Sequence, residues 1–524
     1  MKRRLIKICA VLMAATILLS MLVMSSSAYV AFNSYNYNYY GEAIEVPSGY
    51  TPVDVLTGKD LGVPDGVLAN AVDIYVSPTE EIYIIDYFGT ENEPRLHVIN
   101  KDFTYKKTYT TFVDKTVDGN PEYKMNLPEG VTVDLHGNIY ICDTGNNRVI
   151  KVNQNGELIG KFNAPNSELF TGEFKPSKVA IAKNESVYVI CNGALDGIME
   201  FNRYGTFLRY FGAPDVQLSL ADMVTLAWRR IYRAISGQNA DASFITFVPT
   251  EFENMVVDED GFVYAVIAAT GETNTDQLMK MNFLGNNILD PTVKSTAKVN
   301  STLSSTFGDL VRRSTSGHGN IFKDVAVDED GFITMLDTNL CKVFEYDTEG
   351  NMTFVYGAKG YQQGLFYKPI SMAKLGKKTL VLDNYFGTVT VFDLTYHGRT
   401  LHSAINLYDA GLYDQAESYW DEVLKTNANC ELAHIGVAKV LYQKGDYEGA
   451  LDHFKLANDR TNYQDAYSLY RESVLSDNFD FIMTLLVVLI LLMVVFKVFG
   501  KRIFEAIKNK RKGGGDDDDE IENE

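Results

Sequence analysis

The sequence predicts a mainly β chain: a six-bladed β-propeller, then a pair of α-helical hairpins, then one transmembrane helix. Three observations predict it. A strand-turn-strand phrase recurs six times between residues 40 and 398. Two helical segments match at a period of 34 residues. An apolar run near the C-terminus ends in a basic cluster. At 524 residues the chain is too long for one ordinary core, and its 32 Tyr and 29 Phe favour β structure.

The chain opens with Lys2, Arg3, Arg4 and Lys7, then an apolar run from Ile8 to Met24. Ser26-Ser27-Ala28 places small residues where a signal peptidase cuts. Residues 1–28 therefore read as an export signal. The alternative is an uncleaved anchor, for which the run is short. No Cys follows at a lipobox position, which argues against a lipoprotein.

Residues 29–398 carry the propeller. Gly130 to Val149 reads GVTVDLHGNIYICDTGNNRV. One alternating run ends in Asp134, a turn contains Gly137, a second run ends in Asp143, and a third starts at Val149. NMVVDEDGFVY (254–264) and DVAVDEDGFIT (324–334) repeat the grammar, with Gly three residues after Asp. Asp bonds the turn backbone and Gly accepts the positive φ. Gly156 and Gly350 each follow the blade's first turn Asp by the same 22 residues. Weaker copies lie at 72–86, 179–191 and 371–383, so that Tyr83, Tyr140, Tyr188, Tyr264, Thr334 and Leu380 align on the second strand. Six copies make a six-bladed propeller.

Two insertions interrupt the blades. Residues 213–247 contain Met223, Leu226, Ala227, Ile231 and Ile235 near helical spacing, an amphipathic helix lying on the propeller. Residues 290–320 are Ser/Thr-rich and read as a long loop. Each is either part of a binding face or a tolerated surface excursion.

The stretch GNIYICDTGNNRV is similar to the NHL repeat, and VDEDGFVY resembles it with less of the tail. The resemblance covers about two-thirds of the chain and implies an NHL-type propeller, a fold that hosts many functions.

Residues 399–478 change to helical patterning. Gly411 pairs with Gly445, Tyr413 with Tyr447, Ala416 with Ala450 and Trp420 with Phe454. The period, the close-contact Ala and the aromatic four residues later resemble the tetratricopeptide (TPR) repeat. The pair reads either as a protein-binding groove or as a spacer before the bilayer. Tyr463 to Leu475 forms a third, capping helix.

Residues 479–499 form the transmembrane helix. Phe481 to Phe496 is broken only by Thr484, and Lys497 can snorkel. Lys501, Arg502, Lys508, Lys510, Arg511 and Lys512 follow, which places residues 500–524 in the cytoplasm and the N-terminal part outside. The tail ends in a glycine-rich and then acidic stretch, expected to be disordered. The expected location is a cell membrane, crossed once. The whole order, with the Tyr35–Tyr40 opening, also resembles a group of bacterial surface proteins associated with carbohydrate importers of the ABC class.

A net charge of -20 argues against nucleic acid. Cys142, Cys191, Cys341 and Cys430 are widely spaced and read as free buried thiols, with a Cys142–Cys191 bridge left open. The seven His form no HxH or HExxH pattern, and no GxSxG or P-loop occurs. No catalytic or cofactor-binding residue is therefore assigned. Asp86, Asp143, Asp337 and Asp383 share the end of the second strand. Four such carboxylates around an axis offer oxygen ligands to Ca²⁺. The stronger reading is structural: each Asp starts the DTGNNR-type turn, and Arg148 pairs with it. Two functions are open, the first from two interaction folds on an anchor and the second from analogy with other propellers. One is a membrane-anchored scaffold, with a protein or glycan ligand on the propeller face and a membrane protein on the helical pair, accessory to an ABC-type carbohydrate importer. The other is a metal-dependent lactonase-like or lyase-like enzyme working in the channel.

Overall fold

The computed structural model describes residues 31–38, 41–115, 117–166, 170, 173–193, 197–212, 251–267, 277–289, 307–310 and 319–512. The export signal, the helix expected in 213–247, most of the 290–320 loop and the acidic tail lie outside the described residues. The described chain forms two compact units that divide after Ala410, with Lys425–Ala428 returning to the first.

The first unit holds six antiparallel blade sheets, five of them in sequential strand order, and two short hairpins among the described residues. Their inner strands are Ala71–Val76, Pro128–Val133, Pro176–Ile181, Phe252–Val257, Phe322–Val327 and Pro369–Leu375, each in contact with the next around a closed ring. The second strands, such as Ile139–Asp143 and Val187–Cys191, are apolar on both faces and buried throughout. They have to be, because neighbouring blades cover both faces. Burying one such side chain contributes about 1.5–3 kcal/mol. The expected alignment holds in register: Tyr83, Tyr140, Tyr188, Tyr264, Thr334 and Leu380 lie opposite Tyr75, Thr132, Ala180, Val256, Ala326 and Ala373. The first turn forms as its chemistry dictates. Asp134 Oδ1 accepts the His136 and Asn138 amides, both at 2.9 Å, and Gly137 has φ +78. Gly156 and Gly350 both sit in the turn before the outermost strand, each at positive φ.

Blades 1, 2, 3 and 5 have four consecutive strands, and blade 4 has three among the described residues. Blade 6 takes its outer strand from the start of the propeller: Tyr50–Thr57 pairs with Thr388–Leu394. That pairing closes the ring. A short hairpin, Tyr35–Tyr37 with Ala43–Glu45, precedes it. Its Ser34 and Asn36 flank bonds the Val355 and Met352 carbonyls of blade 5. The described part of the 290–320 loop is not loose: Phe307 is buried, and the Gly308 amide donates to Tyr346 Oη at 2.6 Å.

Helix α1 (Tyr396–Asp409) starts three residues ahead of the expected boundary and belongs to the propeller unit. Thr395 caps it. Its His402 stacks on Phe332, ring centroids 3.7 Å apart, with Nε2 2.8 Å from Glu345 Oε1. Tyr50 Oη and Thr353 Oγ1 also donate to Glu345, and Lys374 lies 3.4 Å away. Burial opposes the charge of Glu345, but His402 and Lys374 outweigh it and hold the carboxyl at about 2.

The second unit contains α2 (Tyr413–Thr426, which ends in the returning segment), α3 (Glu431–Lys444), α4 (Tyr447–Leu456), α5 (Arg460–Asp477) and α6 (Phe479–Lys512). Gly411 and Gly445 have φ +75 and +81 at the preceding helix ends. Ala416, Trp420, Ala450 and Phe454 are buried, while Tyr413 and Tyr447 are half-buried. A Cβ on Gly436 of α3 would come within 2.3 Å of the Trp420 ring, so only glycine allows this approach. Helix α6 is the one helix among the described residues long and apolar enough to cross a membrane. It runs on through the basic cluster beyond the expected 499.

Candidate functional site

The inner strands of a propeller have no further strand to pair with, so their amides on the axis need other acceptors. In every blade the inner strand shifts register after its first residues, and the residue that follows reaches the axis: Asp73, Gly130, Lys178, Asn254, Asp324 and Ser371. Gly130 leaves a gap, and the other five side chains bond one another and the strand amides. Lys178 Nζ lies 2.5 Å from Asp73 Oδ1. Ser371 Oγ lies 3.0 Å from Asp73 Oδ1 and 2.7 Å from Asp324 Oδ2. Asn254 Nδ2 donates to Asp324 Oδ1 at 2.5 Å. The amides of Val131, Val325 and Met372 donate to these carboxylates, that of Met255 to Asn254 Oδ1, and that of Ile74 to Ser371 Oγ.

The ring forms one end of a channel of about 410 Å³ lined by all six inner strands. The other end is lined by the first-turn residues, among them Glu80, Asp134, His136, Glu185, Asp258 and Glu329. Burial pushes the Asp324 carboxyl up to about 6, against the pull of Lys178. Burial also works against the Lys178 charge, but Asp73 and Asp324 outweigh it and hold the ammonium above the ordinary lysine range.

The four strand-end aspartates do not meet on the axis. Each is buried and stitches its own blade, and each accepts the amide that leads into the inner strand: Asn70 for Asp86, Asn126 for Asp143, Ile321 for Asp337, and Tyr367 with Lys368 for Asp383. Asp337 and Asp383 also accept two amides of the following turn. Arg148 Nε bonds Asp143 Oδ2 at 2.8 Å, and Arg95 bonds Asp86 at 2.5 Å. The electrostatics follow the partners. Burial opposes ionisation of Asp86, yet His97 and Arg95 hold its carboxyl below the usual range. Asp337 has only amides, and burial pushes it up to about 6.

These residues do not fit an axial metal. The ring's oxygens are taken by an ammonium and by amides, and among the described residues no three His, Cys, Asp or Glu side chains are grouped to hold an ion. His434 and His453 come together, Nδ1 to Nδ1 3.1 Å, and belong to no group of three such ligands among the described residues. The Cys142–Cys191 bridge left open by the sequence is not formed; both thiols are free and buried, and burial pushes Cys191 up to about 12.

The sequence reasoning missed the ring because its six members share no residue type. A signal was present: each is the cross-strand partner of the residue just before the aligned strand end, as Asp73 is of Ile85 and Asp324 is of Leu336.

Comparison with known proteins agrees with the blade geometry. Residues 125–158 match the NHL repeat. The match spans the second blade from its entry segment to the start of its outer strand. Human NHL repeat-containing protein 3 is 31% identical over 113 residues, 20% of this chain and 30% of that protein. The chain thus spans under a third of that relative's length. Among solved structures, virginiamycin B lyase from Staphylococcus aureus is similar at 10% identity over 66% of this chain and 100% of its own, with a TM-score of 0.38. A gluconolactonase from Xanthomonas campestris is similar at 10% identity over 62% and 86%, with a TM-score of 0.34. At these values the two likenesses carry no argument about what this propeller does.

Proposed function

We propose that this protein is a membrane-anchored binding scaffold whose propeller faces the outside and binds a protein or a glycan. The observation that carries this reading is the self-satisfied axis. Lys178, Asp73, Ser371, Asp324 and Asn254 bond one another and the strand edges, which leaves the outer surfaces for recognition. Helix α6 serves as the anchor, and the basic residues from Lys501 onward keep its C-terminal end in the cytoplasm. Residues 399–478, read as a TPR-like pair, offer a second surface for a membrane partner, and a carbohydrate importer of the ABC class is the partner that the sequence resemblance implies. The lactonase-like or lyase-like alternative requires an axial metal, for which Lys178 leaves no oxygen cage.

The test is copurification of the full-length chain from crosslinked membranes, with partners identified by mass spectrometry. Reproducible recovery of one membrane complex, lost when α2 to α4 are altered at the surface, supports the scaffold. A stoichiometric axial metal together with hydrolytic or lyase turnover by the purified protein would sink it.

A further inference from the structure

Blade 6 presents four aromatic side chains to solvent side by side. Tyr361, Tyr367, Tyr385 and Phe386 are 71%, 36%, 57% and 39% exposed. Their ring centroids lie 4.3 Å apart for Tyr367–Tyr385, 5.1 Å for Tyr385–Phe386, 5.4 Å for Tyr361–Tyr367 and 5.8 Å for Tyr361–Phe386. A contiguous exposed aromatic patch is unusual on a soluble domain and marks a contact surface.

The patch is held from beneath. Asp383 Oδ1 accepts the Tyr385 and Phe386 amides, and its Oδ2 accepts the Tyr367 amide at 2.7 Å. Asp383 is 1% exposed, so the carboxylate that ends this strand also sets three of the four rings. Tyr361 is placed by a tight turn in which Gly360 bonds Phe366 and Leu365 bonds Gln362.

Two lysines flank the rings. Lys359 Nζ lies 5.5 Å from the centre of the Tyr367 ring, and Lys368 Nζ lies 3.4 Å from Asn384 Oδ1. Neither is ion-paired among the described residues, in a chain whose net charge is -20. Unpaired cations beside aromatic faces select an anionic ligand that also offers apolar C–H faces.

We propose that this platform binds an acidic polysaccharide, a chain of pyranose rings bearing carboxylates. The sugar rings stack their C–H faces on the tyrosines, the tyrosine hydroxyls bond the sugar hydroxyls, and Lys359 and Lys368 take the carboxylates. The rings are tilted, by 43° for Tyr367–Tyr385 and 31° for Tyr361–Tyr367, and form facets for puckered sugars rather than one plane. An apolar helix would leave both ammonium groups without a counter-charge. The inference rests on the binding-scaffold reading and deepens it.

The test is calorimetric titration of the full-length protein in detergent with polygalacturonate, with neutral dextran and poly-glutamate as comparison probes. The expected result is binding of polygalacturonate alone. Tyr385→Ala and Tyr361→Ala should each weaken it roughly tenfold, about one aromatic contact. Lys359→Gln with Lys368→Gln should weaken it and reduce its salt dependence. Thermal unfolding of each variant checks that the fold is intact, and Tyr385→Phe, which keeps the ring, should retain most of the affinity. Equal binding of poly-glutamate, unchanged affinity in folded variants lacking the rings, or no binding of polygalacturonate by the wild type would each overturn the proposal. The scaffold reading is scored apart, by crosslinked copurification: a partner still captured by the ring-less variants keeps that reading while the platform falls.

Discussion

Asp143 at the rim of blade 2 and Asp324 on the axis are both buried, but their partners come from different distances along the chain. Asp143 is held by Asn126, Asn146 and Arg148, all of its own blade or the segment entering it. Asp324 is held by Asn254 of the preceding blade and by Ser371 and Met372 of the following one. The rim turn can therefore form within a single blade. The axial ring exists only after the blades have closed, which requires Tyr50–Thr57 to reach Thr388–Leu394. Rim defects should act locally, and axial defects should act on the whole propeller.

The largest expected effect is at the axis. Lys178→Met removes the ammonium and leaves Asp73 without its cation, a loss of about 3–5 kcal/mol of unfolding free energy in denaturant titration. A loss under about 1 kcal/mol would show that the ring is not what holds the blades together.

Next is pH. Asp324 on the axis and Asp337 at the rim both have folded values of about 6 against 3.8 unfolded, so the folded form binds more protons between those values. Stability from both should rise as pH falls from about 6 to about 4, by roughly 2–3 kcal/mol each. Glu345 has the opposite sign. Its contribution is present above its unfolded value of 4.5 and is lost as pH falls toward about 2. Denaturation midpoints across pH 2–7 should thus peak between these windows. Asp324→Asn and Asp337→Asn should flatten the upper limb equally, since the shifts match. A much larger effect of one would show that axis and rim differ in charge as well as in connectivity.

At the rim, Arg148→Ala removes one charge-assisted bond from Asp143, which keeps the Asn126 amide and the Asn146 side chain. The expected cost is about 1.5–3 kcal/mol, with amide exchange faster in blade 2 and unchanged elsewhere. Smallest is Gly137→Ala in the first turn of the same blade. Its φ of +78 strains any side chain, at about 1 kcal/mol, and the Cβ meets only the mobile end of Gln154. Exchange that spread beyond blade 2 in either variant would break the claim that the rim acts locally.

The same division explains what was legible. The turn aspartates Asp134, Asp258 and Asp328 and the strand-end aspartates Asp86, Asp143, Asp337 and Asp383 recur with the blade and bond backbone a few residues away or across one hairpin. Such positions can be read from spacing. The helical patterning after the blades was legible for the same reason: Gly411 and Gly445 follow helix ends, and Ala416 and Ala450 are buried. The axial ring was not legible, because a shared position there is filled by Asp, Gly, Lys, Asn, Asp and Ser. What matters on the axis is that donors and acceptors balance across blades, not that one residue repeats. The aromatic platform was hidden too: Tyr361, Tyr367 and Tyr385 belong to separate turns, and only Asp383, which anchors Tyr367, Tyr385 and Phe386, stood out.

By itself the sequence determined the number of blades, the register of their second strands, the helical C-terminal part and the apolar helix. Periods of two and of 3.6 residues, with Gly and Asp at turns, encode contacts between near neighbours. Tertiary structure alone decided the closing strand, the Lys178-centred axis, the seating of His402 on Glu345 and the aromatic surface of blade 6. Each of those joins residues from distant parts of the chain, and a contact between distant segments leaves no period in the sequence to read.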